Sequence, residues 1–367
     1  NLGWEYRFDG KKVALGFNEM TYSIHSEALT KDELRDEIRS LIKRDSTNKF
    51  TYQEKVQAAQ DFANSGLAFN VDYGSIGFSV MTEKLGGIGF RINDRFSFYS
   101  QLGETASEIL FKGRTANYFD ILTYVEYDSI AGSYDTTYIN NHQNLDPDSA
   151  MNVVSGQATV PLNFSKILEN SEINLSWTRE YNLSYGRKIF GKDSALMIYG
   201  GVGVKFLQGI GLLQLESDGE DLIAFSAMSP FFEIDYGSAA LTNPSAITQN
   251  SGFLPNPVGK GWGFDLGTNV VIGKNIKIGL AINNIGSMTW DGNVYTAQDT
   301  LLFDTENAGL ESYNIASQMN DLIGDNGLFK WNGETQKVVK LPTLVRAGAS
   351  IRFSEKVELG CDLLLPT

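Results

Sequence analysis

The chain has 367 residues, a formal net charge of −14, 37 glycines, 12% aromatic residues, 8 prolines and one cysteine, Cys361. The acidic balance argues against a nucleic-acid binder, which needs a basic surface, and one cysteine excludes an internal disulfide or a cysteine-built metal cluster. No stretch approaches the roughly eighteen apolar residues of a helical membrane span.

The first predicted element is the alternating run Leu2, Trp4, Tyr6, Phe8, with Asp9-Gly10 as the turn of a possible hairpin. No leader sequence precedes it, so either the leader has been removed or the numbering begins inside the mature protein. Residues 30–63 then break the β pattern. Thr30 with Glu33 makes a capping box, and Leu34, Ile38, Leu41 and Ile42 form a narrow apolar stripe, which predicts a helix over 30–44. A second short helix is expected over 52–62. This helical insertion reads either as a hatch that closes a lumen or, more plainly, as a helical surface loop.

Strand signals follow. Ile88, Phe90 and Ile92 lead to Asn93-Asp94 and then Phe96 and Phe98, which reads as a tight hairpin, since Asn and Asp suit the positive φ of such turns. Further strands are expected at 118–127 and 157–164. Gly191-Lys192-Asp193 links a pair from Trp177 through Ile189 and from Leu196 through Phe206, with additional strands at 210–215 and 222–234.

The fullest signal spans 262–285. Trp262, Phe264, Leu266, Thr268, Val270 and Ile272 alternate with Gly263, Asp265, Gly267, Asn269, Val271 and Gly273. After Lys274-Asn275, Ile276, Ile278, Leu280 and Ile282 alternate with Lys277, Gly279, Ala281 and Asn283. The same grammar closes the chain. Val345, Ala347, Ala349, Ile351 and Phe353 lead through Ser354-Glu355-Lys356 to Val357, Leu359, Cys361 and Leu363. Because the text stops inside a strand pattern, the barrel is expected to be incomplete at one or both ends.

Period two over strands of about ten residues, with one large apolar face and one small or polar face, is the signature of an outer-membrane strand. A mean hydropathy of −0.19 does not oppose this, because only alternate residues of such a strand face lipid. A soluble sandwich also alternates, but its strands are shorter and its outward face is more charged. Short turns alternate with long polar excursions at 103–172, 208–260 and 286–341, the asymmetry of short periplasmic turns and long external loops. The expectation is one all-β domain over residues 1–367, a transmembrane antiparallel β-barrel of about fourteen strands, in the bacterial outer membrane and in contact with its lipid. Lipid-facing or girdle candidates are Phe96, Phe98, Trp262, Phe264, Ile278, Leu280, Phe353 and Leu359. Trp177 and Trp290 are further girdle candidates.

Gly261 to Gly267, Gly279 to Trp290, and Leu341 to Ser350 with its return strand resemble FadL-related barrels of the Bacteroidota. That resemblance implies a fourteen-stranded barrel for hydrophobic molecules such as long-chain fatty acids, or a non-enzymatic component of a type IX secretion-like surface complex, with other outer-membrane proteins as partners. The hatch motif Asn-Pro-Ala of the prototype has its nearest match at Asn243-Pro244-Ser245, mid-chain.

Catalytic chemistry finds little support. His25 and His142 stand alone in polar stretches, Gly74-Ser75-Ile76-Gly77 has the wrong spacing for a nucleophile elbow, and Gly201-Val202-Gly203 lacks the third glycine of a dinucleotide loop. Asp146 with Asp148, and Glu216 through Asp221, offer carboxylates without calcium-loop spacing. No catalytic, metal or cofactor site is expected.

Overall fold

The computed structural model describes residues 13–30, 49–82, 85–141, 146–191, 195–247, 252, 254–273, 275–311, 323–324, 328–354 and 357–366. Strands account for 62% and helices for 13%, so the chain is all-β. Strand β1 (Val13–Ser26) is followed by helix α1 (Tyr52–Phe62), then β2 (Gly66–Thr82) and β3 (Gly86–Gln101). An insertion carries α2 (Glu104–Lys112), β4 (Ile121–Asp128), β5 (Ser133–Asn140) and β6 (Val153–Asn163). The long strands β7 (Ser171–Phe190) and β8 (Leu196–Ser217) come next, then β9 (Leu222–Met228), β10 (Gly259–Ile272) and β11 (Ile276–Trp290). Four short strands, β12 (Val294–Ala297), β13 (Leu301–Thr305), β14 (Trp331–Gly333) and β15 (Lys337–Lys340), precede the hairpin β16 (Leu344–Arg352) and β17 (Glu358–Pro366).

Nine strands pair antiparallel in the order β1-β2-β3-β7-β8-β10-β11-β16-β17 and curl strongly into a half-barrel. Its edges are β1 and β17, which do not pair with each other among the described residues. Strands β9, β12, β14 and β15 add to one end of this sheet, and β13-β6-β4-β5 form a separate four-stranded sheet.

The curl has a visible cause. Gly87, Gly186, Gly201 and Gly267 are successive cross-strand partners from β3 to β10, continued by Ala281 on β11. A row without side chains lets the sheet close toward that face, while bulky residues fill the opposite one. Bulges at Gly74/Ile76, Trp177/Thr178 and Phe264/Leu266 add bend.

The connections segregate by length. β2 to β3, β7 to β8, β10 to β11 and β16 to β17 turn within a few residues at one end, whereas the links after β1, β3, β8 and β11 are long and lie at the other. The packed core belongs to that second, elaborated end. Phe119, Leu122, Val153, Phe164, Leu213 and Met228 are buried there with Tyr295 and Trp331, and Phe62, Leu102 and Phe111 join α1 to α2.

Helix α1 occupies the expected span. Thr51 accepts from the Glu54 backbone N–H at 3.3 Å, and the Glu54 carboxylate accepts from the Thr51 N–H at 2.7 Å, a reciprocal cap. The predicted helix over 30–44 lies, but for Thr30, outside the described residues, as does the Asp9-Gly10 hairpin.

Several strand readings change. Asn93-Asp94 is not a turn, because β3 runs straight through it. The Asp94 carboxylate accepts from Trp177 Nε1 at 3.1 Å and pairs with Arg179 Nη2 at 3.0 Å, and Asn93 Oδ1 accepts from Arg91 Nε at 2.6 Å. Partners across the sheet for Asp94, and along the same strand for Asn93, thus satisfy side chains that would otherwise favour a turn. The turn lies instead at Thr82 to Gly86, where Gly86 has φ +92°. The strands expected at 118–127 and 157–164 are β4 and β6 of the separate sheet, and the strand at 210–215 is the continuation of β8.

Candidate functional site

The two faces of the half-barrel carry the chemistry. On the outer face, register aligns apolar side chains into rows. One row runs Val13, Val80, Ile88, Tyr185, Val202, Leu266, Ile282, Val345, Leu365 across all nine strands. A neighbouring row runs Leu15, Phe78, Phe90, Leu183, Val204, Phe264, Ile285, and another Phe17, Ile76, Ile92, Tyr181, Phe206, Trp262. Most of these side chains are exposed, Leu266 by 50%. An uncharged apolar surface of this breadth marks a surface meant to be covered.

Of the girdle candidates, Trp262, Phe264, Ile278, Leu280, Phe353 and Leu359 are exposed, and the five that lie within the strands belong to this face. Phe96 and Phe98 sit farther along β3, half-buried against the core of the elaborated end. Trp177 packs edge-on to Phe231 and Phe232 at 6.0 Å. Trp290 is 2% exposed and lies against Gly209 and Gly259, so it is a core residue.

Within the apolar face lies an open recess of about 450 Å³. Tyr185, Ile189, Val202, Leu266, Leu280 and Ile282 give it apolar walls, Arg187 and Thr268 stand at its margin, and the backbone of Gly200, Gly201 and Gly267 forms its floor. Gly200 is the floor glycine whose missing side chain leaves the recess room: it shares the outer face with Arg187 and Thr268, and a Cβ there would meet the Ile189 side chain, whereas Gly201 and Gly267 present only backbone to the recess. Its size is within the range of small-molecule sites, about 300–1,000 Å³.

The inner face is small and polar, crossed by ion pairs. Arg95 pairs with Asp72 at 2.7 Å and with Glu180 at 3.0 Å. Lys205 pairs with Asp265 at 3.0 Å and donates to Asn284 Oδ1 at 2.6 Å, while Asp265 accepts from the Asn284 N–H at 2.9 Å. The Lys205 and Glu180 side chains are 8% and 7% exposed. Asn284 takes φ +62° at the bulge opposite Asp265, which aims its side chain and amide into the pair. Charges desolvated this far need partners of this kind, and these link β2, β3, β7, β8, β10 and β11 across the sheet. Arg91 with Glu19 at 2.8 Å extends the set to β1. Sequence reasoning placed polar residues on this face but not their pairing, because partners such as Arg95 and Glu180 stand 85 positions apart.

At the elaborated end, Tyr236 and Tyr295 stack at 3.8 Å with Trp331 edge-on to Tyr236, and Ser226 Oγ lies 2.6 Å from the Tyr236 hydroxyl. Burial pushes the Tyr236 phenol well above its ordinary value, so it acts as a neutral core group. Asn243 and Ser245 are structural. Ser245 Oγ donates to Asn243 Oδ1 at 2.8 Å and accepts from the Val294 N–H at 2.9 Å, pinning the loop to the start of β12. Asp120, held below its ordinary range by the Thr159 hydroxyl and then its amide, fastens β6 to the link before β4. Among the described residues no group of three His, Cys, Asp or Glu side chains is placed to hold a metal, and no helix is long and apolar enough to cross a membrane.

A family model described as "Family of unknown function (DUF5723)" matches residues 89–362, well over half of the chain. The chain belongs to this family. The DUF5723 match begins within β3 and ends within β17, so it takes in the elaborated end apart from α1, the ion-paired inner face from β7 onward and the recess. Comparison with curated proteins finds no match.

Proposed function

We propose that the protein is a bacterial outer-membrane β-barrel that binds or passes hydrophobic small molecules, with its outer face in lipid and its elaborated end toward the exterior. The observation that carries this reading is the apolar row from Val13 to Leu365, uncharged across nine strands and exposed at most of them. Water gives no reason for such a row, whereas hydrocarbon requires it. The segregation of short turns from long links supports the same orientation, since short turns face the periplasm in such barrels. Closure is part of the proposal: a sheet edge in hydrocarbon would leave backbone donors and acceptors without partners, so β1 and β17 must find partner strands in the membrane.

The recess gives the hydrophobic ligand a place, with Tyr185, Leu266 and Leu280 against its chain. The ligand is then met on the wall of the barrel, since the inner face, with its ion pairs, offers no apolar path. Titration of the detergent-solubilised protein with a fluorescent long-chain fatty acid tests this. Saturable binding that is lost when Gly200→Leu and Thr268→Leu fill the recess from the outer face is the expected result. Uptake into proteoliposomes equal to that of protein-free vesicles, together with no saturable binding, would remove the transport reading.

A second reading, a non-enzymatic component of an outer-membrane secretion or surface complex, is favoured by the ion-paired inner face, which suits a rigid wall more than a conduit. Purification in mild detergent decides it: recovery with other outer-membrane proteins supports this reading, and a lone monomer opposes it.

A further inference from the structure

The four-stranded sheet ends in a strand that has only one neighbour. β5 pairs with β4 and with nothing else among the described residues. Natural edge strands are usually blunted by lysine, proline, glycine bulges or a covering loop. Among the described residues β5 has none of these: it reads Ser-Tyr-Asp-Thr-Thr-Tyr-Ile-Asn, with Asp135 as its one charge and with Tyr134, Thr136, Thr137, Tyr138 and Ile139 as strand formers. Beyond Val125 and Thr136, the β4–β5 hairpin stands clear of the body with both faces exposed.

The free backbone groups can be identified. The Val125 N–H donates to the Asn152 carbonyl at 3.0 Å, away from β5, so Val125 and Thr136 form a pair without mutual hydrogen bonds. Antiparallel ladders alternate such pairs. The N–H and C=O groups of Tyr134, Thr136, Tyr138 and Asn140 therefore point outward from the sheet. The Asn141 N–H, which donates to the Asp120 carbonyl at 2.8 Å, has the parity this requires.

The two faces differ in chemistry. Tyr127 and Tyr134 stack edge-on at 5.2 Å on one face, and Tyr138 continues that face; Tyr134 and Tyr138 are 73% and 74% exposed. On the other face Glu126 lies directly opposite Asp135, with Asp128 one pair further out. Like charges opposed across strands are unfavourable, and among the described residues no cation pairs with any of the three. The sequence offers none nearby: between Arg114 and Lys166 there is no lysine or arginine, against Asp120, Glu126, Asp128, Asp135, Asp146 and Asp148.

We propose that the free edge of β5 receives an extended segment of a partner protein, one that alternates basic with apolar side chains. Its backbone continues the ladder on Tyr134, Thr136, Tyr138 and Asn140, its basic residues lie beside Glu126 and Asp135, and its apolar residues cover Tyr134 and Tyr138. Strand addition of this kind takes affinity from the main chain and specificity from alternate side chains. A second copy of the chain is disfavoured as the occupant, because it would bring Asp135 and Glu126 against their own kind.

The test uses the full chain in detergent and a fluorescein-labelled eight-residue peptide of alternating valine and lysine. Anisotropy should show saturable binding that weakens as salt is raised, with no binding of the valine–glutamate peptide. Thr136→Pro removes one outward N–H without touching a β4–β5 hydrogen bond, and should weaken binding about tenfold or more while leaving thermal unfolding unchanged. Glu126→Lys with Asp135→Lys, both at exposed positions, should transfer preference to the valine–glutamate peptide. Equal binding by wild type and Thr136→Pro, an unchanged preference in the double lysine variant, or a homodimer that Thr136→Pro dissolves would each overturn the proposal.

Discussion

Replacing Leu266 by arginine asks directly what lies against the outer face. Leu266 sits at the middle of the exposed stretch of β10 between Trp262 and Ile272, and is half-exposed in the isolated chain. Ten rises of about 3.4 Å, at the roughly 40° tilt of barrel strands, give a belt about 26 Å tall, near the apolar band of about 25 Å in outer-membrane barrels. Leu266 then lies at the midplane, where a lipid-facing arginine costs about 2–4 kcal/mol, a factor of about 30 to 900 in the folding equilibrium. On a water-exposed surface the same change falls within about ±0.5 kcal/mol. Reversible denaturant unfolding in short-chain lipid vesicles measures the difference. Val160→Arg, at a 76% exposed position on β6 of the elaborated end, serves as the control and should be neutral. If Leu266→Arg and Val160→Arg agree within about 0.5 kcal/mol, hydrocarbon does not contact β10 and the membrane reading fails.

Three further outcomes are expected. Lys205→Met strands the Asp265 carboxylate and should cost about 3–5 kcal/mol, whereas Lys205→Met with Asp265→Leu should restore most of it, as read by denaturant melts. Gly286→Ala should destabilise by about 1–3 kcal/mol because its Cβ would meet the Trp262 carbonyl oxygen, while Gly267→Ala, whose nearest neighbour would be 3.7 Å away, should be close to neutral. The Thr51 amide, then its hydroxyl, lowers the Glu54 pKa from its ordinary 4.5; the folded group holds its proton less tightly than the unfolded one, so its contribution is present above pH 4.5 and lost as the pH falls through the lowered value. Amide exchange at the start of α1 should accelerate over that window in the wild type and show no such dependence in Glu54→Gln.

The parts of the molecule that sequence reasoning reached are those governed by neighbours in the chain. The β10–β11 hairpin was legible because Trp262 to Ile272 and Ile276 to Ile282 alternate strictly around Gly273, which takes φ +60° at the turn. Helix α1 lies where a helix was expected, and the Thr51–Glu54 cap that starts it is likewise local in the chain. The β3 turn was misread for the converse reason. Asn93 and Asp94 have turn chemistry, but Trp177 and Arg179 lie more than 80 positions away and claim the Asp94 carboxylate. Likewise β4 and β6 are recognisable as strands, but nothing within them tells which sheet they join. The recess and the ion-paired inner face could not be foreseen, since each is assembled from strands that meet only after pairing.

Strand content, the apolar–small alternation and the spacing of short turns followed from the amino-acid text alone, because a period of two and a tight turn are set within a few residues by backbone geometry. The order of strands, the row of glycines that curls them, the second sheet with its bare β5 edge, and the partners of Arg95 and Lys205 were decided by the tertiary structure. These depend on which distant segments come to lie side by side, and the free energy of that choice is shared among contacts that no single stretch of sequence contains.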